Sequence, residues 1–112
     1  MATQGILSIV IKGKVVAKAI VGSDGYLMPR IADDVRKNNV TTAEGLLDLC
    51  HAHGLGGESL VVQSAPDVWI GDCTEDELPA MYAEKFNDLR FNPRWSHGTA
   101  AYTEVVDMTT RL

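Results

Sequence analysis

The sequence GSDGYLMPR, residues 22–30, separates two apolar segments from the first amphipathic one. Asp24 and Gly25 are turn residues, because an aspartate side chain can accept hydrogen bonds from nearby backbone amides and glycine adopts positive φ without strain. Pro29 has φ fixed near the helical value and suits the first turn of a helix. We therefore expect an extended segment to pass into a helix here. Two large polar side chains remain at this corner, Tyr26 and Arg30.

Two apolar runs precede the corner and predict a β-hairpin. Residues 3–12 (TQGILSIVIK) and 14–21 (KVVAKAIV) are rich in β-branched residues, and Gly13 between them is a natural reversal point. Successive apolar residues in the first run indicate that both faces of its strand are covered. Lys18 stands among apolar neighbours, and we expect it near a rim with its ammonium group reaching solvent.

The segments after the corner predict two short helices. Residues 29–38 carry an apolar stripe at helical spacing, and two aspartates precede an arginine and a lysine, which suits the helix dipole. Thr41 and Glu44 have the spacing of a capping box, which predicts a second helix over residues 42–53 with Gly54 as its terminator. Two helices in succession indicate a helical layer on the hairpin.

The remainder of the chain predicts two short strands, a third helix and a closing strand. The two strands are expected over residues 59–63 and 67–71, around an Ala-Pro turn. A capping-box pattern at residues 74–77 predicts a helix that reaches about Leu89. Alternation over residues 100–108 favours a strand at the end of the chain.

Length and composition favour a single domain over residues 1–112, and the predicted strands and helices favour an α+β fold with a mostly antiparallel sheet and flanking helices. Hydrophobic residues make up 46% and charged residues 22% of the chain, which is typical of a globular protein. The net charge of −5 argues against nucleic acid and membranes as partners. No apolar run approaches the roughly 20 residues that cross a bilayer, and a basic signal region is lacking, so we expect a cytoplasmic location.

A short pattern of six residues spans the hairpin and its corner: Thr3, Gln4 and Gly5, followed by Asp24, Gly25 and Tyr26. In this pattern the chain resembles a family of small, uncharacterised bacterial and phage proteins, whose hairpin leads through Asp-Gly-Tyr-Pro into a helix. Two differences stand out, since Gly22-Ser23 replaces the usual His-Trp, and Leu27-Met28 separates the tyrosine from the proline. The resemblance implies a layered architecture similar to that of N-terminal-nucleophile hydrolases, and it implies no established activity.

The corner predicts a non-enzymatic binding or regulatory module, because polar groups concentrate there between apolar elements. The candidate binding residues are Ser23, Asp24, Tyr26, Arg30 and His97. His97 lies in a segment that reads as a loop, where binding residues are common. The partner is left open between a protein and a small molecule, and a homo-oligomer is open as well. A purely structural role of Asp24 and Tyr26 in the turn is the competing interpretation.

The alternative function is a small hydrolase. Thr3 would act as an amino-terminal nucleophile only if Met1 and Ala2 were both removed, since the residue's own α-amine must serve as the base. Cys73 and His97 could instead form a nucleophilic pair, because such partners meet in space rather than in sequence.

Two other kinds of site fit the sequence poorly. Cys50 and His53 are three residues apart on the predicted second helix, and sulfur with imidazole suits zinc, but no paired ligands elsewhere complete a set of four. Both cysteines, Cys50 and Cys73, are expected to be reduced and buried, with one disulfide left open. The glycine-rich residues 54–57 lack the Gly-Lys-Ser/Thr ending of a phosphate loop. The sequence therefore indicates neither a metal nor a cofactor.

Overall fold

The computed structural model describes residues 3–57, 60–64, 68–74, 77 and 102–111. Within these residues the chain forms a five-stranded mixed sheet and two α-helices, an α+β arrangement. The strands are β1 (Gly5–Ile11), β2 (Lys14–Val21), β3 (Leu60–Ser64), β4 (Val68–Trp69) and β5 (Tyr102–Asp107), and the helices are α1 (Met28–Lys37) and α2 (Ala43–Ala52). Most of the predicted helix over residues 74–89 lies outside the described residues.

The sheet has the strand order β4-β3-β2-β1-β5, so the N-terminal hairpin lies inside it. Three neighbouring pairs are antiparallel, which confirms a mostly antiparallel sheet, whereas β5 runs parallel to β1. The alternating pattern of the last segment predicts a strand there but carries no information about its direction. The closing strand joins the free edge of β1, and this long-range pairing sets the position and direction of β5 in the sheet.

The predicted hairpin is confirmed, and its turn has the geometry that suits twisted strands. Lys12 and Gly13 both have positive φ, at 51° and 79°, as a two-residue type I′ loop requires. The paired strands start at Ile11 and Lys14, on either side of that loop. Apolar residues on both faces of β1 are buried, as the sequence predicts.

Both predicted helices are confirmed and cover one face of the sheet. The apolar stripe of α1 is buried against the sheet: Met28, Ile31, Ala32 and Val35. The capping box predicted for α2 is displaced by one residue, because Thr42 is the N-cap and its Oγ1 accepts the Gly45 N–H at 3.1 Å. A capping box also needs a side chain at the third helical position that accepts the N-cap N–H, and Gly45, which occupies that position, has none. Gly54 terminates this helical segment with φ 87°, as predicted.

The prediction that Lys18 lies at a rim is wrong, since only 2% of the residue is exposed. Lys18 occupies the middle of β2, directly opposite Ser8 on β1 and Gln63 on β3. These three residues alternate with those that pack under the helices, so they form a polar row on the second face of the sheet. Ile6, Ile20 and Val61 on the same face are buried as well, so this face of the sheet is covered rather than exposed to solvent.

The backbone of the corner packs directly on the start of β1. A Cβ added at Gly5 would lie 2.7 Å from Gly25 Cα, and one added at Gly25 would lie 2.5 Å from the Gln4 carbonyl carbon. The Gly25 N–H donates to the Thr3 carbonyl at 2.8 Å. Two glycines are therefore required where the corner crosses the first strand, and they set the direction in which α1 leaves.

The far end of β5 is tied to the hairpin turn through one threonine. Asp107 Oδ1 accepts the Thr109 N–H at 2.9 Å and the Thr109 hydroxyl at 2.6 Å, while that hydroxyl oxygen accepts the Lys12 N–H at 2.8 Å. The side-chain hydrogen bond and then the backbone hydrogen bond lower the pKa of Asp107 below its ordinary value. These hydrogen bonds therefore end β5 immediately after Asp107.

Among the described residues, neither helix has the length and apolar character that a bilayer crossing requires.

We expect Gly25→Ala to lower the free energy of unfolding by about 3 kcal/mol, because its methyl group would overlap backbone atoms that cannot move aside. Gly13→Ala is the matched control, since φ is 79° there but no atom lies within 4 Å of the added Cβ. Only backbone strain of about 1 kcal/mol is then expected. Urea unfolding followed by circular dichroism measures both, and equal losses would contradict the steric account.

We also expect Thr109→Ala to raise the pKa of Asp107 toward its ordinary value of 3.8, because the largest cause of the lowering is removed. The pKa of Asp107 in the folded protein lies below its ordinary value. The ionised carboxylate therefore stabilises the fold above pH 3.8, and this stabilisation is lost as the pH falls through the folded-state pKa. NMR titration of the Asp107 carboxyl carbon measures the shift. Thr109→Ser keeps the hydroxyl and should leave the pKa low, so a matching rise in this control would contradict the assignment.

Candidate functional site

The corner after β2 forms a single 3-10 turn, Gly25–Leu27, that leads into α1. Asp24 precedes it in the left-handed region, with φ 60° and ψ 26°. The turn is closed by the main chain, because the Leu27 N–H donates to the Asp24 carbonyl at 3.1 Å and the Asp24 side chain caps nothing. The aspartate therefore shapes the turn through its backbone, contrary to the side-chain hydrogen bonding expected from sequence, and its carboxylate makes no capping hydrogen bond.

Three of the predicted binding residues are exposed at this corner. Tyr26 is 53% exposed although its neighbour Gly25 is buried. Asp24 and Arg30 are exposed as well, and Ser23 is half-buried. His97, the fifth candidate, lies outside the described residues. The structure thus presents an acid, an aromatic ring and a cation within one short stretch of chain.

A second tyrosine joins the corner through the N-terminal segment. The Tyr102 N–H donates to the Gln4 carbonyl at 3.3 Å, and the preceding carbonyl, that of Thr3, accepts the Gly25 N–H. Tyr102 is 38% exposed. Backbone donors of Tyr102 and of Gly25, the neighbour of Tyr26, thus bond to successive carbonyls of the N-terminal segment. Sequence analysis did not identify Tyr102, because its position follows from the parallel pairing of β5 with β1.

The two cysteines are free, buried thiols, as predicted. Burial, and to a smaller extent the nearby Asp72 carboxylate, raises the pKa of Cys50 to about 12. The Cys73 thiol is 3% exposed and donates to the Leu60 carbonyl at 3.0 Å. A nucleophilic cysteine and a zinc-bound cysteine both act as thiolates, so these environments favour neither role.

The histidines at the end of α2 bind carboxylates instead of gathering around a metal. His53 Nε2 lies 2.7 Å from Asp34 Oδ2 of α1. His51 Nε2 lies 2.9 and 3.0 Å from the two oxygens of Asp72, whose Oδ2 also accepts the Gly57 N–H at 3.1 Å. The described residues contain no group of three metal-ligating side chains.

These histidine contacts hold α2 to its surroundings. One reaches α1, and the other reaches the segment after β4, so the helix end is fixed on two sides. Sequence analysis assigned His53 to the helix terminus and could not identify Asp34 as its partner, since the two are 19 positions apart and meet only through helix packing. The same applies to His51 and Asp72, which are 21 positions apart.

Thr3 takes part in the corner through its main chain. Its carbonyl accepts the Gly25 N–H, and the residue is half-buried just before β1. The position therefore serves the close approach of two backbone segments, although Thr3 itself lies outside the strand predicted to begin with it.

Comparison with protein-family models, with curated proteins and with solved structures gives no match to this chain.

We expect Cys50 to resist alkylation in the folded protein. With a pKa of about 12 in place of 9.0, the thiolate fraction at pH 8 is lower roughly a thousandfold. Because folding favours the protonated thiol, the contribution of Cys50 to the free energy of unfolding is complete below pH 9.0 and is lost as the pH rises through about 12. Cys73→Ser leaves Cys50 as the single thiol and supplies a hydroxyl for the Leu60 carbonyl.

Iodoacetamide labelling of this variant, followed by intact mass spectrometry, measures the rate. The same variant in urea is the control, and labelling there should be complete within minutes. Comparable rates in the folded and unfolded protein would contradict the burial of the thiol and reopen a catalytic role.

Proposed function

We propose that this protein is a non-enzymatic binding module whose contact surface consists of Asp24, Tyr26 and Arg30, here called the corner surface. The observation that carries the proposal is the 53% exposure of Tyr26 on a turn whose adjoining Gly25 is buried. A tyrosine that serves only the turn would pack its ring onto the core, as Met28 does two residues later. The exposed ring is available to a partner.

The backbone beneath the corner surface is held in place before any partner arrives. The Gly25 backbone contacts the start of β1 at van der Waals distance, and its N–H is bonded to the Thr3 carbonyl. A side chain on such a support loses little backbone entropy on binding, which favours affinity. The corner surface is therefore preorganised.

The side chains of the corner surface favour a protein partner over a small molecule. Tyrosine and arginine are enriched among the residues that dominate binding energy at protein interfaces, since they combine a large contact area with directional hydrogen bonding. Asp24, Tyr26 and Arg30 are exposed at a turn, whereas small ligands prefer concave pockets lined by apolar groups. We expect the partner to offer an apolar recess for the Tyr26 ring and a carboxylate for Arg30.

The wider resemblance remains part of the proposal. A hairpin at the start of the chain, two helices on one face of the sheet and a buried second face support a layered arrangement similar to that of the N-terminal-nucleophile hydrolases. The short pattern around Asp24 supports an origin among small bacterial and phage proteins, and the two free cysteines support a reducing, cytoplasmic setting.

Site-specific photo-crosslinking tests the corner surface. A benzophenone amino acid at position 26 should give one discrete adduct with another protein in cells that naturally express this chain. The same group at position 68 is the control for exposure, because Val68 is 50% exposed on β4, and it should give no such adduct. No adduct at position 26, or the same adduct from both positions, would contradict the proposal.

The charge requirement is tested within the same experiment. Arg30→Glu should lower the crosslinked yield roughly tenfold, since a cation that faces a carboxylate is replaced by an anion. Lys37→Glu is the matched control, because Lys37 is exposed on the same helix and undergoes the same charge change. Circular dichroism should show both variants folded. Equal losses of yield would assign the effect to net charge instead of to the corner surface.

A further inference from the structure

The outer edge of β5 is a second surface, distinct from the corner surface. β5 ends the strand order on its side, and among the described residues no strand pairs with its outer edge. The opposite edge of the sheet belongs to β4, which is only two residues long. Very short edge strands are one way in which proteins prevent sheets from joining. β5, with six residues, has no such protection.

The backbone groups that face outward can be identified from the pairing with β1. The N–H groups of Tyr102 and Met108 donate to the carbonyls of Gln4, just before β1, and of Val10, so residues at even positions between them direct their N–H and C=O toward β1. The intervening residues direct theirs outward, and these are Thr103, Val105 and Asp107. The outer edge of β5 therefore offers three N–H and three C=O groups in one row.

This edge also lacks several other features that discourage pairing, although Glu104 and Asp107 place two charges on the strand. β5 contains no proline or lysine, and its register with β1 continues without a bulge across all its residues. Val105, at the middle of the strand, is 38% exposed although it is a β-branched apolar residue. A regular strand with an exposed valine at its centre is a template for one more strand.

We propose that two copies of this chain associate through β5, as antiparallel strands related by a two-fold axis at Val105. In that register Val105 lies opposite Val105 of the second copy, and Thr103 lies opposite its Asp107. The outward N–H and C=O groups then meet in pairs, and the two five-stranded sheets join into one. An isologous contact of this kind is closed, since each copy uses the same edge once.

The side chains of β5 suit this register. Glu104 lies opposite Val106 of the second copy, so no two carboxylates face each other directly across the strands, although each chain carries a net charge of −5. Centring the pair on Glu104 instead would place two glutamates in direct opposition. Electrostatic repulsion therefore disfavours the Glu104 centre relative to the Val105 centre.

One polar atom gives independent support for a partner strand. The Oγ1 atom of Thr103 is buried and has no hydrogen-bond partner among the described residues. The proposed register places Asp107 of the second copy directly opposite this threonine, and threonine and aspartate in that relation can form a cross-strand hydrogen bond after rotation about χ1. Only one Asp107 oxygen is used by Thr109, so the other is available.

Measurement of mass in solution tests the proposal. Light scattering coupled to size exclusion, on the full chain over roughly 1 to 500 µM, should give twice the 12.1 kDa of one chain at the upper end. Val105→Lys should give a monomer, because two ammonium groups would meet on the axis. Val68→Lys is the matched control, since it places the same charge on an exposed valine at the opposite edge, and this variant should remain a dimer.

A mixing experiment separates loss of association from loss of folding. V105K and V105E should each be monomeric alone, and an equimolar mixture should restore a dimer, because opposite charges then meet at the axis. Amide hydrogen exchange should show protection of Thr103, Val105 and Asp107 that increases with protein concentration. A wild-type monomer throughout, a V105K dimer, a V68K monomer or a failure of the mixture to associate would each overturn the proposal.

Discussion

The rest of the structure depends on one backbone contact, between Gly25 in the corner and the Gln4–Gly5 peptide at the start of β1. The distances there leave no room for a Cβ on either glycine, and the Gly25 N–H is bonded to the Thr3 carbonyl. The contact decides where α1 begins and thereby which face of the sheet its apolar stripe covers. It also leaves Tyr26 outside the core. The constraint that builds the fold therefore positions the candidate binding residues.

The buried second face of the sheet gives the fold its layered character. Ser8, Lys18 and Gln63 form a polar row across three strands, in a place where apolar residues would be expected. Burying a lysine is costly unless its charge is matched, so this row constrains how the sheet can be covered. Because Lys18 lies in the middle of this row, between Ser8 and Gln63, its side chain is buried instead of being exposed at the rim of the sheet.

The two surfaces of this protein have different origins. The corner surface arises from local turn geometry, and its side chains are adjacent in sequence. The outer edge of β5 arises from long-range topology, because β5 joins β1 and, among the described residues, no strand pairs with its other side. Tyr102 connects the two, since it begins β5 and lies beside the residues that hold the corner. A protein partner and a second copy could therefore occupy neighbouring parts of the same molecule.

Several features follow from the sequence alone, because they depend on local periodicity and turn chemistry. The hairpin follows from two β-branched runs around Gly13, and the first helix follows from the stripe beginning at Met28. Tertiary structure alone decided the rest. The burial of Lys18, the pairing of His53 with Asp34 and the direction of β5 depend on which strands and helices become neighbours, and residue order along the chain does not encode those distances.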